Sequence, residues 1–226
     1  LNELLHLTLR TTDVSGARTF YESVLGAAPS SLVQLHEQAV ARGAPPHWLG
    51  FIEVDDVAGV AARFLERGAQ ALSPKWVNPE GLEAQVLRDP GGAVVALGKP
   101  ATRKDETPRS TMHLLNTTDV ERAKTNYREL FGWSFAASID LGPLGVIRPF
   151  SFREGGPTVG AFVGIEGRAG VHPHWLFHFT VPSIDAALEQ VRAAGGKALG
   201  PFTLHSGTRV AVCDDAQGAA FALREG

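Results

Sequence analysis

His6-Leu7-Thr8-Leu9-Arg10-Thr11-Thr12-Asp13-Val14 returns 106 positions later as Met112-His113-Leu114-Leu115-Asn116-Thr117-Thr118-Asp119-Val120. Self-similarity at a fixed spacing is the mark of a duplicated structural unit, and the match continues downstream. Ala17, Tyr21, Val24, Leu25 and Gly26 fall on Ala123, Tyr127, Leu130, Phe131 and Gly132. A second pair, Pro46-His47-Trp48-Leu49 and Pro173-His174-Trp175-Leu176, is offset by 127. The step Gly68-Ala69-Gln70-Ala71-Leu72-Ser73-Pro74 returns as Gly195-Gly196-Lys197-Ala198-Leu199-Gly200-Pro201, and Asp89-Pro90-Gly91-Gly92 with the strand after it returns at Asp215-Ala216-Gln217-Gly218. The chain therefore reads as two repeats: a first domain over 1–98, a solvated linker over 99–109 (KPATRKDETPR) and a second domain over 110–226. Gly26 to Leu49 is 21 residues shorter than Gly132 to Leu176, about two strands. The first domain thus has a shortened first module, lacking a hairpin expected around Phe150 to Ile165.

Each repeat alternates strand, helix and further strands. Asp13 is placed to cap a helix whose apolar stripe is Ala17, Phe20, Tyr21, Val24 and Leu25, with Gly26 where the helix stops. Asp56 caps a second stripe of Val57, Val60, Ala61, Phe64 and Leu65. Ser183 opens the corresponding helix of the second repeat. Alternation along His174 to Val181 puts Trp175, Phe177, Phe179 and Val181 under the helices and His174, Leu176, His178 and Thr180 on the other face. In the first repeat that other face carries His47, Leu49, Phe51 and Glu53.

Composition narrows the functional classes. The 226 residues are 44% hydrophobic and 20% charged, enough for a core. With 21 basic against 24 acidic residues and a net charge of −3, no cationic surface for nucleic acid is expected. No apolar run approaches the ~18 residues that cross a bilayer, and no charged start leads into an apolar stretch, so a cytoplasmic location without membrane partners is expected. Cys213 is the only cysteine, which excludes an intrachain disulfide and a cysteine-built zinc site. The paired glycines at 91–92 and 155–156 read as turn glycines, and no serine or cysteine sits in a nucleophile motif.

The order and spacing of these segments, HLTLRTTD and FIEVDD at strand-to-helix junctions, the Gly-Ala-Gln-Ala-Leu-Ser-Pro step and the closing DPGGAVVAL, resemble the vicinal oxygen chelate superfamily. That group includes glyoxalase I, bleomycin- and fosfomycin-resistance proteins and extradiol dioxygenases. The resemblance covers nearly the whole chain and implies an α+β fold of tandem βαβββ modules, forming two cup-shaped incomplete barrels. It also implies a divalent metal (Zn, Ni, Fe or Mn) held by residues at each module's first strand and a glutamate near the end of its last. Carried onto this sequence, those positions are His6, Leu49, Met112 and Leu176, and Ala96 and Ala222. Only His6 is an ordinary ligand where about three are needed, so no cofactor is expected.

Three readings follow. In the first, the chain is a metal-independent binder of a small, partly aromatic or amphipathic molecule. Its ligand-facing residues are then His6, Thr8, Arg10, His47, Leu49 and Phe51 in one cup, and Met112, Asn116, His174, Leu176, His178, Thr180 and Arg209 in the other. In the second it is a metal-dependent lyase, isomerase or dioxygenase with a relocated set, His6, His47 and Glu53, and Glu53 is the candidate catalytic acid or base. In the third the cups are filled by their own side chains. Alternatives stay open for single residues too. His47 and His174 serve either a ligand or a structural corner in which the imidazole bonds backbone. Glu53 is otherwise a rim carboxylate paired with Arg10, and Arg209 a strand-edge charge. His174 and His178, about 13 Å apart along one strand, are too far apart to share an ion. His113 is expected on the helix side, and His36, His172 and His205 in loops or at the surface. A monomer or a homodimer is compatible with exposed strand edges.

Overall fold

The structure, a computed structural model, describes residues 2–77, 83–99, 110–142, 145–204 and 206–226. His205 and residues 100–109 of the linker lie outside the described residues. The architecture is α+β, and the described residues form five helices and two open, largely antiparallel sheets.

The first sheet is built from β1 (Leu4–Thr11), β2 (Leu32–Gln34), β3 (His47–Glu53), β4 (Gln70–Ala71), β5 (Trp76–Val77), β6 (Glu83–Arg88) and β7 (Val94–Gly98). Their order is β2-β1-β3-β7-β6-β4, with β5 also on β6. The second contains β8 (Ser110–Thr117), β9 (Ser134–Phe135), β10 (Ile139–Asp140), β11 (Val146–Ser151), β12 (Gly160–Gly164), β13 (His174–Val181), β14 (Lys197–Thr203), β15 (Arg209–Asp214) and β16 (Ala220–Glu225). It runs β10-β11-β12-β8-β13-β16-β15-β14, with β9 on β11. The expected hairpin is present as antiparallel β11 and β12. In the second sheet β12 lies parallel to β8; in the first, that place beside β1 is taken by the three-residue β2. Among the described residues the first sheet has seven strands and the second nine.

Helices α1 (Val14–Leu25), α3 (Val57–Glu66), α4 (Val120–Phe131) and α5 (Ile184–Ala193) begin as the sequence dictates. Asp13, Asp56 and Asp119 each accept the backbone N–H of the third residue beyond them at 2.9 Å, and Ser183 does so at 3.4 Å. Gly26 and Gly132 end α1 and α4 in the left-handed region, where a side chain would be strained. A short α2 (Glu37–Ala41), not expected from the sequence, is capped by His36, whose Nδ1 accepts from Gln38 N–H at 3.2 Å.

The chain divides into two compact units, Leu1–His6, Gly50–Arg103 and His113–Trp175 (unit I), and Leu7–Leu49, Lys104–Met112 and Leu176–Gly226 (unit II). In unit I, Phe64 of α3 meets Tyr127 and Phe131 of α4 edge-on, and Trp133 stacks on Phe150 at 4.7 Å. Tyr127 donates its hydroxyl to Asp89 at 3.2 Å, and Asp89 also accepts Ala93 N–H at 2.9 Å. In unit II, α1 packs on α5, and Phe20, Tyr21, Trp48, Phe179 and Phe221 form the aromatic core. There Tyr21 donates to Asp215 at 3.2 Å and receives Trp48 Nε1–H at 2.9 Å. Each unit thus joins the first helix of one repeat to the closing turn of the other.

Candidate functional site

The sheet face away from the helices follows from alternation. Trp48 and Phe179 go to the core, so His47 and Leu49, and Leu176, His178 and Thr180, go to the opposite side.

In unit II, the first sheet places Thr8 and Arg10 on that side of β1, beside Ser31 and Val33. Thr8 and Ser31 share a hydroxyl hydrogen bond of 2.9 Å. The Arg10 Nε is buried without a hydrogen-bond partner, and burial is what pushes its guanidinium pKa down. The expected pairing of Arg10 with a carboxylate is not made by this Nε among the described residues. His47 holds its Nδ1 2.8 Å from the Pro45 carbonyl. A carbonyl only accepts, so Nδ1 carries the proton and Nε2 keeps its lone pair. Burial, then the Arg10 charge, lowers the His47 pKa against the opposing pull of that bond, so the ring is neutral at pH 7. Leu49 is fully buried.

In unit I, His6 and Phe51 meet edge-on with ring centres 5.1 Å apart. Glu53 is half-buried, its backbone bonded to Asn2 and Glu3. The second sheet repeats the His47 corner: His174 Nδ1 lies 2.8 Å from the His172 carbonyl, and its Nε2 3.3 Å from Asn116 Nδ2. At both copies of Pro-His-Trp, Nδ1 therefore bonds a backbone carbonyl and Nε2 is left as an acceptor.

The second-sheet residues of unit II are Met112, Leu176, His178 and Thr180. His178 is 9% exposed, and neither ring nitrogen has a hydrogen-bond partner among the described residues. Burial, aided by the charge of Arg224, pushes its pKa down to about 4. Thr180 is exposed and bonds Thr111 at 3.1 Å. Arg209 is taken up by both carboxylate oxygens of Asp185 at 2.7 and 2.8 Å, with Glu225 at 3.6 Å, which makes it a surface ion pair. His113 is buried against Phe152, while His36 and His172 are exposed. Cys213 is buried, its thiol pushed up to about 12, too high for a nucleophile at neutral pH.

The positions that the resemblance assigns to a metal can be placed on the two sheets. Ala96 stands opposite Phe51 and Ala222 opposite His178 in the parallel ladders, so the closing strands present methyl groups where a carboxylate is needed. Leu49 and Leu176 are buried hydrocarbons and Met112 a thioether. Among the described residues no three of His, Cys, Asp and Glu are gathered to hold an ion.

Sequence reading missed Ser31 and Val33, because a three-residue strand is too short to show alternation. It also missed the two Asp–Tyr pairs, although Tyr21, Tyr127 and both aspartates lie in the repeated segments.

Residues 110–223 match the model of the Glyoxalase/Bleomycin resistance protein/Dioxygenase superfamily, and the chain belongs to this family. Its relatives include the glyoxylase-like protein CFP32 of Mycobacterium bovis and of Mycobacterium tuberculosis, each 29% identical over 95% of this chain and 91% of the relative. Similar solved structures include 2,2',3-trihydroxybiphenyl 1,2-dioxygenase of Sphingomonas wittichii, with a TM-score of 0.66 and 12% identity over all of this chain and 91% of that one. The Mn(II)-bound glyoxalase of Novosphingobium aromaticivorans gives 0.62 and 12%, covering 100% and 82%. At these identities the likeness is one of fold. No helix among the described residues is long and apolar enough to cross a membrane.

Proposed function

We propose that this member of the family binds a small, partly aromatic or amphipathic molecule without a metal ion. The donor set carries this reading. Of the six positions that the family uses for metal, His6 alone offers a nitrogen or oxygen donor; the others are Leu49, Met112, Leu176, Ala96 and Ala222. What remains in each unit is polar rather than metal-binding and suits an organic ligand: Arg10 and His47 in unit II, and Asn116 and His174 in unit I. The test is elemental analysis of tag-free protein purified without chelators. Less than a tenth of an equivalent of metal per chain is expected, with none retained after incubation with Mn, Fe, Ni or Zn and dialysis. Near-stoichiometric metal overturns the reading.

One observation favours a second reading, a metal-dependent lyase, isomerase or dioxygenase using His6, His47 and Glu53. The Nδ1 of His47 is held by a carbonyl, the arrangement that orients metal-binding imidazoles. If His6→Ala and His47→Ala leave metal content and turnover unchanged, that ligand set is wrong.

A further inference from the structure

We infer that Arg10 receives the carboxylate of the bound molecule while His47 accepts a hydrogen bond from a hydroxyl on it, so that the ligand class is a small hydroxylated organic acid. This deepens the proposed function and rests on its claim that the site binds an organic ligand.

A guanidinium is always charged and carries five donors; taking it out of water without an anion is unfavourable. Arg10 is partly in that position, for the residue is half-buried and its Nε is the atom cut off. Its Nε has neither water access nor a hydrogen-bond partner among the described residues, and burial pushes the guanidinium pKa down. Elsewhere in the same unit Arg209, with Asp185 and Glu225 around it, shows how the chain treats an arginine whose job is surface pairing. Arg10 is left open, on a strand face rather than at an edge, and a planar fork of donors matches a carboxylate in shape as well as in charge.

The neighbours define the rest of the molecule. His47, with its proton fixed on Nδ1 by Pro45, offers an acceptor at Nε2 and so selects a ligand donor. The imidazole is neutral, and the hydroxyls of Thr8 and Ser31 add no charge. One cation therefore faces one negative charge, which suits a carboxylate better than a phosphate dianion. Val33 is opposite Arg10 in the β1–β2 ladder and 44% exposed, so it offers hydrocarbon for a ring or short chain.

The experiment is isothermal titration of the full chain, in EDTA, with salicylate, benzoate, benzamide and inorganic phosphate. Salicylate is expected to bind most tightly, benzoate next, benzamide at least tenfold more weakly than benzoate, and phosphate not measurably. Arg10→Gln should weaken salicylate at least tenfold and Arg10→Lys less, with near-ultraviolet circular dichroism unchanged in both. His47→Phe should bring salicylate down to the affinity of benzoate. Equal affinities for benzoate and benzamide, an Arg10→Gln protein that is folded and binds salicylate normally, or no binding by either acid overturns the inference. Neutral aromatics that bind regardless of Arg10 remove the acid and leave a ligand-binding protein. Stoichiometric metal with Arg10-dependent acid binding removes the metal-free reading and leaves this site.

Discussion

At the scale of single residues, Asp89 and His178 shape the acid side of the stability profile in opposite directions. Asp89, buried with Tyr127, is pushed up from 3.8 to about 6. Between those values the folded protein holds a proton that the unfolded chain has released, so this group's contribution falls as pH rises from about 4 to about 6. Asp215, buried with Tyr21, acts in the same direction. His178 is pushed down from 6.5 to about 4, so here the unfolded chain holds the extra proton, and stability is lost as pH falls through that window. Each full shift corresponds to about 3 kcal/mol, at about 1.4 kcal/mol per pH unit. Urea midpoints at pH 4, 5, 6 and 7 separate them. Asp89→Asn should make stability rise more steeply with pH than in the wild type, and His178→Phe should make it fall. Parallel profiles would show that neither group titrates as its burial demands. His178→Phe should also be more stable at pH 7 by about 1–3 kcal/mol, because it removes two unsatisfied buried nitrogens. Phe51, its counterpart 127 positions earlier, shows that the strand accepts the ring.

At the scale of elements, helix starts were the most legible feature, because a capping side chain acts on backbone three residues away and needs no distant partner. Asp13, Asp56 and Ser183 were read from the sequence, and Asp119 follows from the repeat. The bond lengths rank them: Asp119→Ala should cost about 1 kcal/mol, the usual value of such a cap, whereas Ser183→Ala, losing a 3.4 Å bond, should cost clearly less. Equal losses in urea unfolding would show that cap geometry is not what distinguishes these helix ends. The long strands β3 and β13 were equally legible, since seven or eight residues display alternation, and with them the facing of His47, Leu49, His174 and His178. The two- and three-residue strands were not, and β2 took with it Ser31 and Val33. Nor does a pattern of residue types reveal hydrogen-bond state. Arg10 was legible as facing away from the helices, but that its Nε has no partner among the described residues depends on where the carboxylates finally lie.

At the scale of the whole molecule, the repeats in the sequence and the compact units in space are not the same division. Tyr127 belongs to the second repeat and donates to Asp89 of the first; Tyr21 of the first donates to Asp215 of the second. The aromatic contacts follow the same crossing, with Phe64 of α3 against Tyr127 and Phe131 of α4, and Phe20 and Tyr21 of α1 against Phe221 of β16. Local sequence could not reveal this, since two similar copies offer each helix two similar partners. The consequence concerns cutting the chain. A fragment of residues 110–226 keeps the family match but exposes Tyr127, Phe131 and Phe221 where the other repeat had covered them. It should unfold at a clearly lower urea concentration than the full chain, or associate with itself to cover those rings. Co-expression with residues 1–109 should restore the full-chain midpoint, because the lost contacts are noncovalent and reappear when the pieces meet. A monomeric 110–226 fragment as stable as the intact chain would show instead that each repeat carries its own sufficient core, and that the crossed pairs are incidental to folding.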